Sequence, residues 1–129
     1  MDEKRIDIRW RDMDAYGHVN QAVYLTYAEE VLDDWFRRRL DLAPGTIFDY
    51  VAARMTVDYR AELRQTDLQV VGRVSLVRLG TKSITARIEL GAPDGRLAAE
   101  IECVVVAVGG PEDRSSRPLT GAERAALSG

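Results

Sequence analysis

The chain has 129 residues, 46% of them hydrophobic, which is the length of one ordinary domain with enough apolar residues for a single core. Its net charge of −3 gives no general reason to expect nucleic acid or an anionic membrane as a partner. A single cysteine, Cys103, excludes an internal disulfide, and with only one histidine in the chain a metal site is unexpected. No apolar run has the length of a membrane span and the N-terminus lacks the apolar segment of a signal peptide, so we expect a cytoplasmic protein.

The first elements in chain order are a strand and a long helix. Residues 5 to 11 alternate between polar and apolar, which predicts a strand with Ile6, Ile8 and Trp10 on its buried face. A set of apolar residues then recurs at the spacing of one helix face, and its members are Tyr24, Tyr27, Ala28, Val31, Leu32 and Trp35. Asn20 is expected to cap this helix at its N-terminus.

Four consecutive strands are predicted after residue 47, where the hydrophobic period changes to two. Their predicted buried positions are Met55, Val57 and Tyr59, then Leu68, Val70, Gly72, Val74 and Leu76, then Ile84, Ala86, Ile88 and Leu90. Turns are expected at "LGTKS", residues 79 to 83, and at "APDG", residues 92 to 95. The last strand ends in "CVVVAV", which is apolar on both faces and should be buried on both.

A polar tail begins at about residue 110, within which Thr120 and Glu123 have the spacing of a capping box that opens a short helix. We find no internal repeat and no linker, so residues 1–129 are interpreted as a single domain. The order of elements predicts an α+β fold in which a meander of antiparallel strands curls around the one long helix. One helix cannot cover such a sheet, so we expect a homodimer or a homotetramer.

The loop before the helix, "RDMDAYGHVN" at residues 11 to 20, concentrates side chains that carry chemistry. It contains two aspartates, a glycine, the chain's only histidine and an asparagine. Asp12 or Asp14 can serve merely to close an Asx turn or to cap the helix. The helix N-terminus that follows, however, offers unpaired amides and a partial positive charge, and both can stabilise a negative charge in an active site.

This loop resembles that of the hotdog-fold thioesterases of the 4-hydroxybenzoyl-CoA thioesterase type, through the pattern D-x-D-x-x-G-H-V-N-x-x-x-Y. "YLTYAEEVLDDWF" and "ARMTVDYRAELRQTDLQV" extend the resemblance, in collinear order, to about 110 residues. It implies a hotdog fold, in which an antiparallel five-stranded sheet wraps around one long central helix and pairs with a second sheet in a dimer. It also implies hydrolysis of an acyl-CoA thioester, with no cofactor beyond the coenzyme A of the substrate.

The resemblance implies that Asp14 is the catalytic carboxylate. His18 matches the histidine of the plant acyl-ACP thioesterases, but Tyr16 stands where those enzymes have an asparagine. The sequence therefore departs from the plant-type catalytic set and favours Asp14. A catalytic role for His18 and a loop histidine bonded to backbone are left open.

Thioester hydrolysis needs a nucleophile or base and donors for the oxyanion that forms on the carbonyl. Gly17 lets the backbone approach a ligand closely, and the amides of residues 17 to 20 are the predicted donors. Asp14 can either attack the carbonyl or deprotonate a water. The predicted catalytic residues are Asp14 and His18, and the predicted oxyanion and substrate-binding residues are Gly17, Val19, Asn20 and Tyr24.

The nucleotide end of the substrate's coenzyme A also has a candidate binding site. Between residues 60 and 96 there are seven Arg or Lys against four Asp or Glu, in a chain of net charge −3. Arg78 and Lys82 flank the "LGTKS" turn, where related thioesterases hold the nucleotide end of coenzyme A. They are the predicted CoA-binding residues, and the alternative is an ordinary solubilising surface.

Several alternatives remain open at this stage. Glu29 lies beside the apolar helix stripe, where it either faces solvent or assists catalysis. Cys103 is expected to be a buried structural thiol. The substrate is an acyl-CoA or an acyl-carrier-protein thioester, since both present the same phosphopantetheine arm. The alternative of a different class is a non-catalytic dimeric protein that binds acyl thioesters.

Overall fold

The computed structural model describes residues 2–129 as a five-stranded antiparallel sheet with two helices. In chain order the elements are β1 (Asp2–Asp7), α1 (Gln21–Arg39), β2 (Tyr50–Tyr59), β3 (Gln69–Leu79), β4 (Ser83–Gly91), β5 (Leu97–Ala107) and α2 (Gly121–Ser128). Two short 3-10 turns, Trp10–Asp12 and Gln65–Asp67, lie in the connections. The predicted α+β order of strand, helix and four strands is confirmed.

The strands lie in the order β1-β3-β4-β5-β2, and every neighbouring pair is antiparallel. The strands β3, β4 and β5 form a meander joined by the two predicted turns. The strands β1 and β2 are the edges of the sheet, so each carries one row of backbone groups with no neighbouring strand in the described part of the chain.

The helix α1 packs across the β1, β3 and β4 side of one face of the sheet. All six residues of its predicted apolar stripe are buried. The helix and the sheet approach each other closely at Gly72 on β3, where an added Cβ would lie 2.3 Å from a γ-methyl carbon of Val31. Gly72 is therefore required for the distance at which the helix sits on the sheet.

Three residues predicted to be buried are exposed. Tyr59 lies on the edge strand β2, and the other two, Trp10 and Leu68, share a different cause. Trp10 is 80% exposed because β1 ends at Asp7 and a 3-10 turn breaks the alternation, which brings Asp12 inward in its place. Leu68 is 71% exposed because it ends the second 3-10 turn with a φ of 68°. The prediction that both residues face the core is wrong, since the apolar period continued past the ends of the strands.

The C-terminal residues fold back onto the domain. Val108 and Ser116 form an isolated β-bridge, and the predicted capping box at Thr120 is present at the start of α2. Leu119 and Leu127 are buried in the same core cluster as α1 and the sheet. In "CVVVAV" only Val104 and Val106 are half-buried and the other four residues are buried, so the prediction of burial on both faces holds fully for one face and in part for the other.

The edge strand β2 is the least covered part of the sheet. All four predicted core positions of β4 are buried, whereas Met55 and Val57 on β2 are half-buried and Tyr59 is exposed. A groove remains between α1 and β2 as a result. Neither helix in residues 2–129 combines the length and the apolar character that a membrane crossing requires.

Candidate active site

The loop that enters α1 is a tight hairpin. The amide of Asp14 donates to the carbonyl of His18 over 2.8 Å, and the amide of Gly17 donates to the carbonyl of Asp14 over 3.3 Å. Met13 and Val19 pair as an antiparallel bridge at its base. Gly17 has a φ of +82°, which a residue with a side chain adopts only under strain, so the glycine is required by the turn itself.

Two backbone bonds fix this hairpin to its surroundings. The amide of Val19 donates to the carbonyl of Leu63 over 2.8 Å, and the amide of Asn20 donates to the carbonyl of Asp12 over 2.9 Å. The hydroxyl of Tyr24, on the first turn of α1, accepts from the amide of Leu63 over 3.0 Å. The loop, the helix and the segment after β2 are thereby held together at one place.

Asp12 is an internal anchor of the loop. Its carboxylate is almost fully buried and accepts from the Tyr27 hydroxyl over 2.7 Å and from the Arg9 amide over 2.9 Å. Burial alone would raise the pKa of Asp12, but these two donors and the Arg9 guanidinium outweigh burial and hold the pKa below its ordinary value. Asp12 is therefore an anionic structural residue.

Asp14 has one oxygen committed to the loop and one free. Its Oδ1 accepts from the amide of Tyr16 over 2.8 Å and from the amide of His18 over 3.3 Å. The first of these bonds is the Asx turn that the sequence left open as an alternative. Within residues 2–129 the Oδ2 atom accepts no hydrogen bond, so the loop orients the carboxylate and leaves one oxygen available for chemistry.

The amides of residues 17 to 20, the predicted oxyanion donors, are all bonded within the chain. The first amide without a partner in the described part of the chain is that of Gln21, the first residue of α1. Asn20 caps the helix as predicted, since its side chain accepts from the amide of Ala22 over 2.9 Å. The available donor at the helix N-terminus is therefore Gln21, a residue that sequence reasoning missed because side-chain type gives no indication of a free amide.

These groups meet in one cleft of about 290 Å³. Its lining includes Asp14, His18, Gln21, Tyr24, Tyr59 and Glu62. The His18 Nε2 atom lies 3.0 Å from a carboxylate oxygen of Glu62, so the imidazole is oriented by a residue far away in the sequence. Tyr24 and Tyr59 meet edge to face, with ring centroids 5.3 Å apart, and form one wall.

The chain matches a family model described as "Thioesterase-like superfamily" over residues 8–119, which includes the whole site. It belongs to this superfamily. The family is one of enzymes that hydrolyse thioesters, so this chain is a thioester hydrolase. The resemblance to 4-hydroxybenzoyl-CoA-type thioesterases stated from the motif is confirmed at the level of the family. No curated protein matches the sequence at a significant level.

Solved structures agree with this assignment. A thioesterase from Thermus thermophilus, complexed with coenzyme A and zinc, is 33% identical with a TM-score of 0.81, over 97% of this chain and 90% of that one. The PA5185 protein of Pseudomonas aeruginosa strain PAO1 is 26% identical with a TM-score of 0.84, over 99% and 90% of the two chains. A 1,4-dihydroxy-2-naphthoyl-CoA thioesterase from Synechocystis, only 17% identical, shares the fold with a TM-score of 0.81 over 98% and 94%.

A second cavity of this thioesterase, of about 300 Å³, lies farther along the groove between α1 and β2. It is lined by Glu29, Leu32, Tyr50, Ala52, Met55, Cys103 and Val105. Burial, with the nearby carboxylates of Asp33 and Glu29, raises the pKa of Tyr50 to about 12. Burial also raises the pKa of Cys103 to about 11, so its thiol stays neutral and is a poor nucleophile at neutral pH.

Arg78 and Lys82 lie at the other end of the sheet from Asp14. Tyr59 in the cleft is paired through Ala99 with Leu90, whereas Lys82 precedes Ser83 at the opposite end of β4. Leu90 and Ser83 are about 23 Å apart, at about 3.3 Å for each of seven residues. Within one chain the structure therefore does not bring the predicted CoA-binding residues and the predicted carboxylate together.

The cleft has no grouping typical of a metal site. Among the described residues, no cluster of three or more His, Cys, Asp or Glu side chains is arranged to hold an ion. The charged neighbours of Asp14 are instead paired with each other, since Glu62 contacts His18 at 3.0 Å and Arg64 at 3.2 Å.

Proposed function

We propose that this thioesterase hydrolyses acyl-CoA to a carboxylate and free coenzyme A. The observation that carries the proposal is that two residues lining one cleft each have an unpartnered group among the described residues, a carboxylate oxygen in one and a helix N-terminal amide in the other. The first belongs to Asp14 and the second to Gln21. A thioester carbonyl held between them meets a nucleophile or base on one side and an oxyanion donor on the other.

The reaction balances with water alone. In one route Asp14 Oδ2 attacks the carbonyl carbon, the C–S bond breaks, and water then hydrolyses the acyl-aspartyl anhydride. In the other route Asp14 takes a proton from a water molecule, which attacks the carbonyl directly. In both routes the oxyanion accepts from the Gln21 amide and the sulfur leaves as a thiolate, so no cofactor is needed.

His18 is proposed as the second catalytic group. Its imidazole lines the same cleft, and Glu62 at 3.0 Å orients it. A protonated His18 can supply a proton to the leaving thiolate, while a neutral one would leave this role to solvent.

The acyl group is proposed to occupy the groove between α1 and β2. The cleft and the second cavity are both lined by these two elements, Gln21 and Tyr59 at one end and Leu32 and Met55 at the other. Most residues that line the second cavity have apolar side chains, which suits an acyl or aryl group, and Glu29 and Tyr50 add polar groups to its wall. An acyl-carrier-protein thioester presents the same arm and is the alternative substrate.

We further propose that the chain forms a hotdog dimer, alone or as part of a tetramer. The edge strand β2 is exposed over most of its ten residues and borders the groove. Antiparallel pairing with the β2 strand of a second copy would satisfy the free edge and cover the groove, with each sheet wrapped around its own α1. Arg78 and Lys82 of one subunit could then contact only a substrate that is bound at Asp14 of the other subunit. Light scattering at micromolar concentration tests this, and a stable monomer would overturn it.

The experiment that tests the function is thiol release from a panel of short, long and aromatic acyl-CoA substrates, with one acyl-carrier-protein thioester. Turnover of at least one acyl-CoA with saturation kinetics is the expected result. Turnover of the carrier-protein thioester alone would favour the alternative substrate. Tight binding of several acyl-CoA substrates without thiol release would show a non-catalytic binding protein instead.

A further inference from the structure

Asp14 lines a second surface depression, of about 420 Å³, besides the catalytic cleft. This depression is bounded by Trp10, Met13, Gly17, Arg64, Gln65 and Thr66. The two loops that form it are tied together by backbone bonds, because the amide of Ile8 donates to the carbonyl of Leu68 over 2.9 Å and the amide of Val19 donates to the carbonyl of Leu63 over 2.8 Å. The depression is thus a built feature of the same loop system that holds Asp14.

Two side chains of this depression, Trp10 and Arg64, are unusual for a protein surface that binds nothing. Trp10 is 80% exposed, although exposing an indole to water is unfavourable and the other tryptophan, Trp35, is only 1% exposed. Arg64 lies at the rim, and its partner is the exposed carboxylate of Glu62 at 3.2 Å. An exposed ion pair of this kind is weak, so a phosphate can replace Glu62 as the partner of Arg64.

A thioester has an acyl group on one side and a sulfur-linked group on the other, and the proposed function assigns a location to the acyl group only. If the acyl group enters the groove between α1 and β2, the sulfur and everything bonded to it leave Asp14 in another direction. The depression at Trp10 and Arg64 is a second space that Asp14 borders. An indole face suits an extended chain with amide groups, and a guanidinium suits a phosphate.

Resting on the proposed function, we infer that the depression between residues 10–17 and 64–66 binds the phosphopantetheine arm of the substrate. In this arrangement Trp10 packs against the arm and Arg64 binds its phosphate. The chemistry is shared by coenzyme A and an acyl-carrier protein. The location differs from the turn at Arg78 and Lys82, which lies at the opposite end of the sheet.

The two tryptophans make a binding measurement possible without turnover. CoA and 4′-phosphopantetheine should each quench the long-wavelength emission of the exposed Trp10 in a saturable manner, and the change should be absent in Trp10→Phe. Adenosine 3′,5′-bisphosphate, which lacks the arm, should leave the emission unchanged. No quenching by either arm-containing probe, or equal quenching by the bisphosphate, would overturn the proposal.

Variants then test the two contacts, with the Kd for CoA measured by calorimetry and the KM for the best acyl-CoA by thiol release. Trp10→Ala should raise Kd and KM about five- to tenfold with kcat nearly unchanged, since the contact persists through the reaction. Arg64→Ala should raise Kd and KM by a similar factor, and Kd is its decisive readout because Arg64 also contacts Glu62, the partner of His18. Pantetheine, which has no phosphate, should bind wild type and Arg64→Ala equally. The matched control is Arg73→Ala, because Arg73 is also an exposed arginine paired at 3.2 Å with one exposed carboxylate, that of Glu3.

The outcomes separate this proposal from the proposed function. Hydrolysis with unchanged Kd and KM in Trp10→Ala and Arg64→Ala would overturn the arm site and leave the thioesterase activity standing. An increase confined to Arg78→Ala or Lys82→Ala would do the same and would move the site to that turn. Quenching of Trp10 by 4′-phosphopantetheine without any hydrolysis would retain the arm site and overturn the function.

Discussion

The Tyr27 hydroxyl on α1 donates a 2.7 Å hydrogen bond to the buried carboxylate of Asp12, two residues before the proposed reactive carboxylate. This bond joins the helix to the loop at the same level as the amide of Asn20, which donates to the Asp12 carbonyl over 2.9 Å. The buried carboxylate of Asp12, which takes no part in the proposed chemistry, therefore fixes the part of the loop that positions Asp14.

Removing this hydroxyl should destabilise the fold. Tyr27→Phe leaves the ring in the core and deletes one hydrogen bond to a buried anion, so the free energy of unfolding should fall by about 1.5–3 kcal/mol. Urea unfolding of wild type and Tyr27→Phe measures this difference in the free energy of unfolding. The control is Tyr59→Phe, which removes an exposed bond of 2.9 Å to the Gln21 carbonyl and should cost less. Equal losses in the two variants would show that Asp12 is not a special anchor.

Acid should weaken the same anchor. The folded-state pKa of Asp12 is lowered, so its contribution to stability is present above the ordinary value of about 3.8 and is lost as the pH falls through the folded pKa. The stability gap between wild type and Asp12→Asn should therefore be largest near pH 6 and should shrink below about pH 4. Urea unfolding of both proteins between pH 3 and 7 measures the gap, and a constant gap would contradict the argument.

The buried hydroxyl of Thr85 should be dispensable. Thr85 is 2% exposed, and its Oγ1 atom has no hydrogen-bond partner in the described part of the chain. Thr85→Val keeps the shape and removes an unsatisfied polar group, so stability should rise by about 1 kcal/mol. Thr56→Val, at an exposed position of β2, is the control and should change little. A loss of stability in Thr85→Val would indicate a partner that the structure does not contain.

The packing distance between α1 and the sheet depends on Gly72. Gly72→Ala would place a Cβ 2.3 Å from a Val31 methyl carbon, so unfolding should become easier by about 1–3 kcal/mol. Val31→Ala removes that methyl group, and the double variant should be more stable than the sum of the two single losses predicts. Strict additivity in a thermal or urea unfolding experiment would show that the two residues do not compete for space.

Much of this fold is predictable from the sequence because periodicity reports burial directly. The stripe of α1 and the apolar positions of β4 repeat without interruption, and all of them are buried. Trp10 and Leu68 were mispredicted because each continues a strand period into a 3-10 turn, where the backbone changes the direction of the side chains. Nothing in an alternating pattern marks the residue at which a strand stops.

The candidate site was predictable only in part, for a related reason. The loop motif indicates where the chemistry lies, because Asp14, Gly17 and His18 are close in sequence. The contacts that complete the cleft come from Glu62 and Leu63, more than 40 residues later, and no local sequence pattern predicts these contacts. The availability of an amide depends on which carbonyl oxygens lie nearby, so the free donor at Gln21 became evident only from the fold.

The central claim is that Asp14 supplies the reactive carboxylate, and Asp14→Asn tests it most directly. The asparagine keeps an oxygen that can accept from Tyr16 and His18, so the loop should persist and the melting temperature should stay within a few degrees. The control is Asp94→Asn, because Asp94 accepts from the amide of Arg96 over 2.9 Å in a similar turn outside the cleft.

The measurement is kcat for the best acyl-CoA substrate in wild type, Asp14→Asn and Asp94→Asn. The account predicts a loss of about 100-fold or more in Asp14→Asn, the scale on which a positioned base contributes, with Asp94→Asn near wild type. A folded Asp14→Asn that hydrolyses the substrate at the wild-type rate would contradict the claim and reduce Asp14 to the residue that closes the turn.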